Sequence, residues 1–294
     1  MHSSNPLVSV IIPCFNSEKF IGETLDSILG QSYENFEILV VNDGSTDGSL
    51  NVLNGFRDRI KIINQKNVGV SSARNHGILR SKGELIAFCD SDDIWHKSKL
   101  EVQVNPLLED PRTGMVFNQR KPFHNLDEID LTTKSECKFD QKDFFYELLE
   151  HNKVDCSSVL VRKLLLAKSG LFDTTQVGAE DTDLWLRLHQ HTTFCEVSPP
   201  LSYIRKHGDN VTSSYKFREN RAFTQQMMYA RWFSDSAARK ILAKHIQGNF
   251  WALAYESSDL GDNNKAFRYF LNSFLFGKRD VKSVAKVIQY YFKK

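Results

Sequence analysis

The sequence predicts an α/β protein in which a mainly parallel sheet with flanking helices is followed by a C-terminal helical extension. Over residues 1–120, short aliphatic runs alternate with amphipathic stretches, which is typical of parallel strands joined by crossover helices. From Arg218 onward the pattern is entirely helical, with turn residues at 261–264 and 277. The expected organisation is a sheet domain over residues 1–215, with halves at about 1–118 and 119–215, and the helical extension over 216–294.

Each element of the first half is predicted from its own run of residues. Strands are short apolar runs, and helices carry apolar residues at helical spacing. Residues 119–153 are polar and irregular before a short helix near 140–150, which indicates an insertion or flap over the sheet. The predicted strands are Leu7–Pro13, Phe36–Asn42, Ile60–Asn64, Glu84–Asp90 and Gly114–Asn118, and the predicted helices are Ser17–Leu29, Ser49–Phe56, Ser71–Ser81 and Lys97–Leu108.

The composition excludes several classes of protein. The 38 Lys and Arg residues and 36 Asp and Glu residues give a formal net charge of +2, too small to indicate a nucleic acid partner. No apolar run reaches the roughly 18–20 residues of a membrane-spanning helix. The N-terminal apolar run has no basic leader, so export is not expected. The five cysteines form no CxxC motif and are expected to be reduced structural thiols in the cytoplasm.

A run of acidic residues follows the fourth predicted strand. Asp90, Asp92 and Asp93, with Ser91 between them, come directly after the apolar run that ends at Cys89. Ligands of parallel α/β sheets bind beyond the carboxyl ends of the strands, and three carboxylates there repel one another unless a cation lies among them. Mg²⁺ or Mn²⁺, with diphosphate oxygens completing its shell, suits such a site. A turn that caps the next helix is the alternative interpretation.

The loops after the first two strands are polar but lack the usual phosphate-binding glycine patterns. The first strand ends in PCFNSE instead of GxGxxG, and no GxxxxGK[ST] occurs, which disfavours dehydrogenases and P-loop proteins. Asp43, in the turn NDGSTDGS, can accept a hydrogen bond from a nucleotide base.

Gly69 allows close approach of the backbone to a ligand. Arg74 and the N-terminus of the helix that begins near Ser71 attract negative charge.

Five segments in order resemble the family 2 glycosyltransferases: VSVIIPCFN, VVNDGSTDGS, NVGVSSARNHGI, ELIAFCDSDDIW and AEDTDLWLRL. The resemblance covers roughly residues 7–215 and implies the GT-A fold, a Rossmann-like mainly parallel sheet. It also implies an inverting, metal-dependent enzyme that transfers a sugar from a nucleoside diphosphate sugar, expected to be a UDP-sugar, to a hydroxyl. A glycan or lipid-linked saccharide acceptor in cell-surface polysaccharide synthesis is the expected setting.

The resemblance assigns residues on the donor side of the site. Arg205 and His207 lie in a segment similar to YRxHxxN, with which many members close the donor site, and either can reach the diphosphate or the metal. An ordinary surface or core role is the alternative for His207. The expected donor-binding residues are Pro13, Phe15, Asn16, Asp43, Asn67, Gly69, Arg74, Asp90, Ser91 and Asp92, and the expected Mn²⁺ or Mg²⁺ ligands are Asp92, Asp90, Asp93 and His207.

A pair of acidic residues, Glu180 and Asp181, precedes apolar residues at helical spacing. The pair therefore lies in the first turn of an amphipathic helix, where the helix dipole favours ionised carboxylates. In the context of the resemblance, Asp181 is expected to be the general base and Glu180 to orient the acceptor. A purely stabilising role in the first helical turn is the alternative.

Two other functions are alternatives to this one. A sugar-phosphate nucleotidyltransferase uses a similar sheet, but its Gly-rich basic loop after the first strand is absent. A non-catalytic glycan-binding protein on the same scaffold is disfavoured because every expected acidic residue is present. The tail Gly277–Lys294 holds six Lys or Arg and one Asp, a formal charge of +5. It suggests peripheral contact with the inner face of the cytoplasmic membrane, with a solvated helix as the alternative.

Overall fold

The computed structural model describes residues 5–126, 129, 136–138, 144–151, 153–208 and 215–276. It confirms an α/β fold with helices at the C-terminus. The strands are β1 (Val8–Cys14), β2 (Phe36–Asp43), β3 (Lys61–Gln65), β4 (Leu85–Phe88), β5 (Ile94–Trp95), β6 (Thr113–Phe123), β7 (Glu136–Lys138), β8 (Val159–Arg162) and β9 (Thr193–Arg205). The helices are α1 (Ile21–Leu29), α2 (Ser49–Asn54), α3 (Val70–Arg80), α4 (Lys99–Glu109), α5 (Phe144–Glu150), α6 (Lys163–Ser169), α7 (Glu180–His189), α8 (Tyr215–Arg231), α9 (Ser236–Asp259) and α10 (Asn263–Phe276).

The strands form one sheet in the order β3-β2-β1-β4-β8-β6-β9-β5, with β7 paired to β9. Strands β1 to β4 are parallel to one another, as predicted. The fold is thus the expected α/β sheet with flanking helices, and the sheet is mixed beyond β4, where β8 lies antiparallel between β4 and β6. The two-residue strand β5 follows β4 after a short loop with no crossover helix and pairs antiparallel with β9.

Helices cover both faces of the parallel half of the sheet. Side chains of α1 and α4 pack with those of β1, β2 and β4 in the largest cluster of buried apolar residues. The smaller cluster on the other face includes Ala73 of α3, with Leu39, Val41 and Ile63 of the sheet. Burial on both faces explains why the central strands read as continuous aliphatic runs.

A buried polar network joins α4 to a short 3-10 turn at Cys156–Ser158. The Nε2 of Gln103 donates to Ser158 O at 2.7 Å and to Asn118 Oδ1 at 3.2 Å. The ammonium of Lys99 donates to Gln103 Oε1 at 2.6 Å and lies 4.0 Å from the centre of the Trp95 ring. Burial lowers the pKa of Lys99 to about 7. This network fixes the turn that adjoins the functional residues described below.

The chain divides into two compact units. The first comprises Met1–Leu148, Asn152–Thr174 and Asp181–Gly208, and the second comprises Leu149–His151, Thr175–Glu180 and Asp209–Lys294. In the second unit Asp235 caps α9 by accepting hydrogen bonds from the backbone of Ala237 and Ala238. None of the helices in the described ranges is long and apolar enough to cross a membrane. The basic tail, 277–294, lies outside the described residues.

The packing of α3 on β1 gives a first prediction. A Cβ atom added at Gly77 would lie 2.4 Å from Cγ2 of the fully buried Ile11, whereas one added at Gly22 of α1 meets only Val52 at 3.6 Å. Overpacking costs about 1–3 kcal/mol, and replacing Gly by Ala in a helix gains up to about 1 kcal/mol. We expect Gly77→Ala to lower the free energy of unfolding by about 1–2 kcal/mol.

Urea denaturation of both variants measures this difference, with Gly22→Ala as the matched control that we expect to be neutral or stabilising. Equal stabilisation by the two substitutions would show that α3 does not depend on the small residue at position 77.

Candidate functional site

The loops that follow β1 and β2 are bonded into a single rim. Asn16 Oδ1 accepts from the backbone N of Thr46 at 2.8 Å, and the Asn16 backbone N donates to Ser45 Oγ at 3.1 Å. Asn16 adopts a left-handed conformation with φ 51°, which Asn tolerates better than most residues. The neighbouring Phe15 ring is 47% exposed, and Pro13 is buried at the end of β1. The rim therefore presents one exposed aromatic ring at the carboxyl edge of the sheet.

Asp43 at the end of β2 is buried and organises the loop after β3. Its Oδ1 accepts from Gln65 Nε2 at 2.7 Å and from the Val68 backbone N at 3.0 Å, and its Oδ2 accepts from the Gly69 backbone N at 2.9 Å. Gly69 has φ 96°, in the region that favours glycine, and no atom lies within 4 Å of its missing Cβ. Asn67 is exposed on the same loop. These residues are adjacent, and their roles in base binding stay predictions.

A buried cation reaches the end of β4. Arg74 is 5% exposed, and its Nη2 lies 2.8 Å from Asp90 Oδ1. Its guanidinium also lies 5.4 Å from the centre of the Phe172 ring. Asn75, the next residue of α3, exchanges hydrogen bonds with the backbone of Phe172 at 2.8 and 3.0 Å. The helix is thereby held where its arginine faces the acidic run, and the predicted contact of Arg74 with a diphosphate stays a prediction.

Asp92 is paired with the predicted histidine. His207 Nε2 lies 2.9 Å from Asp92 Oδ2, and the imidazole packs against Phe20 with ring centres 4.6 Å apart and ring planes tilted by 34°. Burial raises the pKa of the Asp92 carboxyl, and the charge of Asp90 raises it further, while His207 lowers it. The intervening Ser91 has its Oγ 2.6 Å from Ser17 Oγ, which ties the acidic run to the β1 loop.

Asp93 points into the protein and is held at both oxygens. Its Oδ2 accepts from Ser157 Oγ at 2.5 Å, and its Oδ1 accepts from the Arg205 backbone N at 3.1 Å. Burial raises the pKa of Asp93 well above its usual value, and the charges of Asp90 and Asp92 act in the same direction. These contacts give Asp93 a structural position in the loop.

Arg205 is a buried clamp on the same loop. It is 7% exposed, lies between Phe20 and Phe123 at 4.9 and 4.7 Å from their ring centres, and donates from Nε to Asp92 O at 2.9 Å. Its Nη2 donates to Glu23 Oε2 at 2.5 Å. The sequence suggested a diphosphate or metal contact for this side chain, and the structure shows it engaged with protein groups.

The donor set for a divalent cation is small. Among the residues that the structure describes, no three His, Cys, Asp or Glu side chains form a group that could hold a metal ion. Asp92 and His207 nevertheless converge at 2.9 Å, with the Asp90 charge close enough to raise the Asp92 pKa. Mg²⁺ and Mn²⁺ sites on phosphate substrates commonly use one or two carboxylates, the remaining ligands being water and phosphate oxygens. The residues present fit a cation that is completed by a bound diphosphate.

The predicted acidic pair lies at the start of α7. Asp181 is half-buried, and its Oδ1 accepts from the Thr182 backbone N at 2.6 Å. Glu180 Oε2 accepts from the Gly178 backbone N at 2.7 Å within the second compact unit. The helix is anchored one turn later by Trp185, whose Nε1 donates to Val154 O at 3.1 Å. Asp181 is thus a carboxylate at a helix N-terminus on a firmly packed helix.

Sequence reasoning did not single out Asp155, whose carboxyl is influenced by charges from both acidic regions. Burial raises the pKa of its carboxyl, the ion pair with Arg120 lowers it, and the charges of Asp181 and Asp90 both raise it. Asp155 is therefore within electrostatic reach of both the β4 loop and the start of α7. It belongs to none of the five motifs, so the only signal in the sequence was an acid directly before the buried segment Cys156–Ser158.

Known proteins resemble this chain in sequence and in structure. The chain is 32% identical over 186 residues to an uncharacterized glycosyltransferase of Rickettsia typhi, which covers 62% of this chain and 58% of that protein. It is 35% identical over 184 residues to the UDP-Glc:alpha-D-GlcNAc-diphosphoundecaprenol beta-1,3-glucosyltransferase WfgD of Escherichia coli, which covers 62% of this chain and 69% of that protein. The crystal structure of S. aureus TarS 1-349 in complex with UDP-GlcNAc has a TM-score of 0.68 at 21% identity, over 97% of this chain and 89% of that chain.

The TarS structure has the same fold as this chain, at an identity too low to carry more than the fold. The chain spans less than two thirds of the length of the Rickettsia typhi relative. The family description Glycosyl transferase family 2 matches residues 9–166, which is more than half of the chain and includes the β1, β2 and β4 loops and Asp155. The chain therefore belongs to glycosyl transferase family 2.

Proposed function

We propose that the protein is an inverting, metal-dependent glycosyltransferase that moves a sugar from a UDP-sugar to a hydroxyl of a glycan or lipid-linked acceptor. The observation that carries the proposal is the pairing of Arg74 with Asp90 and of His207 with Asp92 at the carboxyl edge of the sheet, with Asp181 at a helix N-terminus. The E. coli relative, named for a UDP-Glc donor and a diphosphoundecaprenol-linked acceptor, supports this donor and acceptor class. We assign the transferase domain to residues 1–215.

The nucleotide is expected to lie along the β1, β2 and β3 loops. The exposed Phe15 ring offers a surface for base stacking, and the loop held by Asp43 brings the Asn67 and Gly69 backbone to the same edge. We expect Pro13, Asn16 and Ser91 to complete the nucleotide-binding surface of these loops. Arg74 places a cation and the N-terminal part of α3 where the diphosphate charge would lie.

Asp92 and His207 would hold the divalent cation together with diphosphate oxygens, and Asp90, paired with Arg74, would add its charge nearby. Asp93 is left out of this set because both of its oxygens bind protein groups. A bound Mn²⁺ or Mg²⁺ would neutralise charge on the departing diphosphate. The protein contributes the orientation of these ligands, since Arg205 and Phe20 fix the loop and the imidazole. Arg74 adds positive charge to the leaving group independently of the cation.

Asp181 is proposed as the general base. Its carboxylate takes the proton of the acceptor hydroxyl while the acceptor oxygen forms a bond to the anomeric carbon. The bond from that carbon to the diphosphate breaks, and the electron pair leaves with the diphosphate on the opposite face. The hydrogen bond from the Thr182 backbone fixes the orientation of the carboxylate. One displacement inverts the anomeric configuration, and Glu180 is proposed to orient the acceptor.

The two alternative functions differ from the proposed one in ways that can be tested. Membership of glycosyl transferase family 2 disfavours a sugar-phosphate nucleotidyltransferase. A non-catalytic glycan-binding protein would still bind its glycan after Asp181 is replaced. Such a protein would show no sugar transfer even with Asp181 present. Action at the inner face of the cytoplasmic membrane, with the basic tail as a contact, is part of the proposal and is supported by the lipid-linked acceptor in the name of the E. coli relative.

Asp92 is the residue for testing the cation site. We expect Asp92→Ala to weaken Mn²⁺-dependent UDP binding by at least about 10-fold, because removal of a ligand carboxylate leaves the diphosphate charge poorly neutralised. Titration calorimetry with and without Mn²⁺ measures this, and Asp58→Ala, an exposed acid before β3 at the opposite edge of the sheet, is the control. Equal affinities of parent and Asp92→Ala for UDP in Mn²⁺ would remove Asp92 from the site.

The role of Asp181 is tested by a variant of equal size. Asp181→Asn keeps the hydrogen-bond acceptor for Thr182 but loses the basic oxygen, so turnover should fall on the order of 10²–10⁴-fold with little change in UDP affinity. Glu180→Gln should raise the acceptor concentration required more than it lowers turnover. Rates against acceptor concentration, with the anomeric configuration of the product determined by NMR, provide the measurement.

A fully active Asp181→Asn protein would contradict the assignment of the base. A product that retains the configuration of the donor would overturn the single-displacement mechanism.

A further inference from the structure

A short segment, Val154–Ser158, bridges the two parts of the proposed site. At one end Ser157 Oγ accepts from the Asp90 backbone N at 2.9 Å and donates to Asp93 at 2.5 Å. At the other end Val154 O accepts from Trp185 of α7 at 3.1 Å. The segment is therefore bonded to the acidic β4 loop and to the helix that carries Asp181, and Asp155 lies between these two attachments.

The side chain of Asp155 is paired with Arg120 of β6, and neither group is fully buried. The side chains are 25% and 40% exposed, respectively. The register of β6 against β9 shifts between Asn118 and Arg120, where the exposed part of the strand begins. The ion pair is thus partly open to solvent, and the charges of Asp90 and Asp181 act on the Asp155 carboxyl.

A purely structural role does not explain an ion pair at this position. Like charges on Asp90 and Asp181 oppose the ionised form of Asp155, and partly exposed ion pairs contribute little stability. In the proposed reaction, the sugar ring of the donor must lie between the diphosphate, near Arg74 and Asp90, and the base. A carboxylate accepts hydrogen bonds from neighbouring hydroxyls and a guanidinium donates to their oxygens, so this pair complements a polyhydroxylated ring.

We propose that Asp155 and Arg120 form the subsite that binds the hydroxyls of the donor sugar. The inference rests on the proposed function, because it needs a nucleotide sugar at the β4 loop. It assigns recognition of the sugar to two residues outside the five sequence motifs. The nucleotide itself is left to the β1, β2 and β3 loops.

Asp155→Asn and Arg120→Gln test the subsite, with Asp110→Asn as the matched control because it removes the charge from the exposed Arg112–Asp110 pair elsewhere on the first unit. Calorimetry in Mn²⁺ compares UDP with the UDP-sugar that the parent binds most tightly among UDP-glucose, UDP-galactose and UDP-N-acetylglucosamine. We expect each subsite variant to weaken UDP-sugar binding on the order of 10- to 100-fold and UDP binding less than about 2-fold. The control should change neither affinity.

The outcomes separate this inference from the function on which it rests. A parent protein that binds UDP, with both variants binding the UDP-sugar as tightly as the parent, overturns the subsite and leaves the proposed function standing. Equal loss of UDP and UDP-sugar affinity, with a lower melting temperature, also overturns it, since the pair then only holds the segment in place. A parent that binds none of these nucleotides refutes the proposed function itself.

Discussion

The structure depends on how three carboxylates are accommodated at the end of one buried strand. Asp90, Asp92 and Asp93 lie within a span of four residues after β4, and burial together with repulsion from the neighbouring carboxylates raises the pKa values of Asp92 and Asp93. The chain resolves this by giving each carboxylate a different partner from a different element. Arg74 comes from α3, His207 follows β9, and Ser157 comes from the 3-10 turn. Because of this repulsion, three segments that are distant in sequence must lie next to the loop.

This requirement explains features that are unremarkable when taken singly. The Arg205 backbone N donates to the Asp93 carboxylate, and the Arg205 side chain donates to the Asp92 carbonyl. One residue of β9 therefore holds both Asp92 and Asp93. The aromatic rings of Phe20 and Phe123 on either side keep that guanidinium out of water, where it would otherwise be hydrated. A loop that carries several negative charges is thereby held in place by protein groups.

The parallel half of the fold could be predicted from the sequence because its signals are local. Each of strands β1 to β4 is an aliphatic run next to a helix pattern, and the structure places them within a few residues of the expected bounds. The antiparallel insertion of β8 could not be predicted, since the pairing of β8 with β4 joins segments far apart in sequence and depends on side-chain packing. Motifs predicted Arg74, Asp92 and His207 as site residues, and the structure pairs Arg74 with Asp90 and His207 with Asp92, while their contacts with a nucleotide or a cation stay predictions.

The differences within the site have the same physical origin. Asp93 has the same residue type and nearly the same position as Asp92, and only the inward hydrogen bonds of Asp93 separate a structural carboxylate from a proposed ligand. Asp155 gave no motif because its neighbours in space come from residues 65 positions before it and 26 positions after it. Because a sugar ring contacts many separate segments, residues that select the sugar are expected to be scattered along the chain, whereas a loop that binds a nucleotide remains contiguous. A single sequence therefore indicates the class of donor more readily than the identity of its sugar. The structure adds the Arg120–Asp155 pair as the proposed sugar-binding residues.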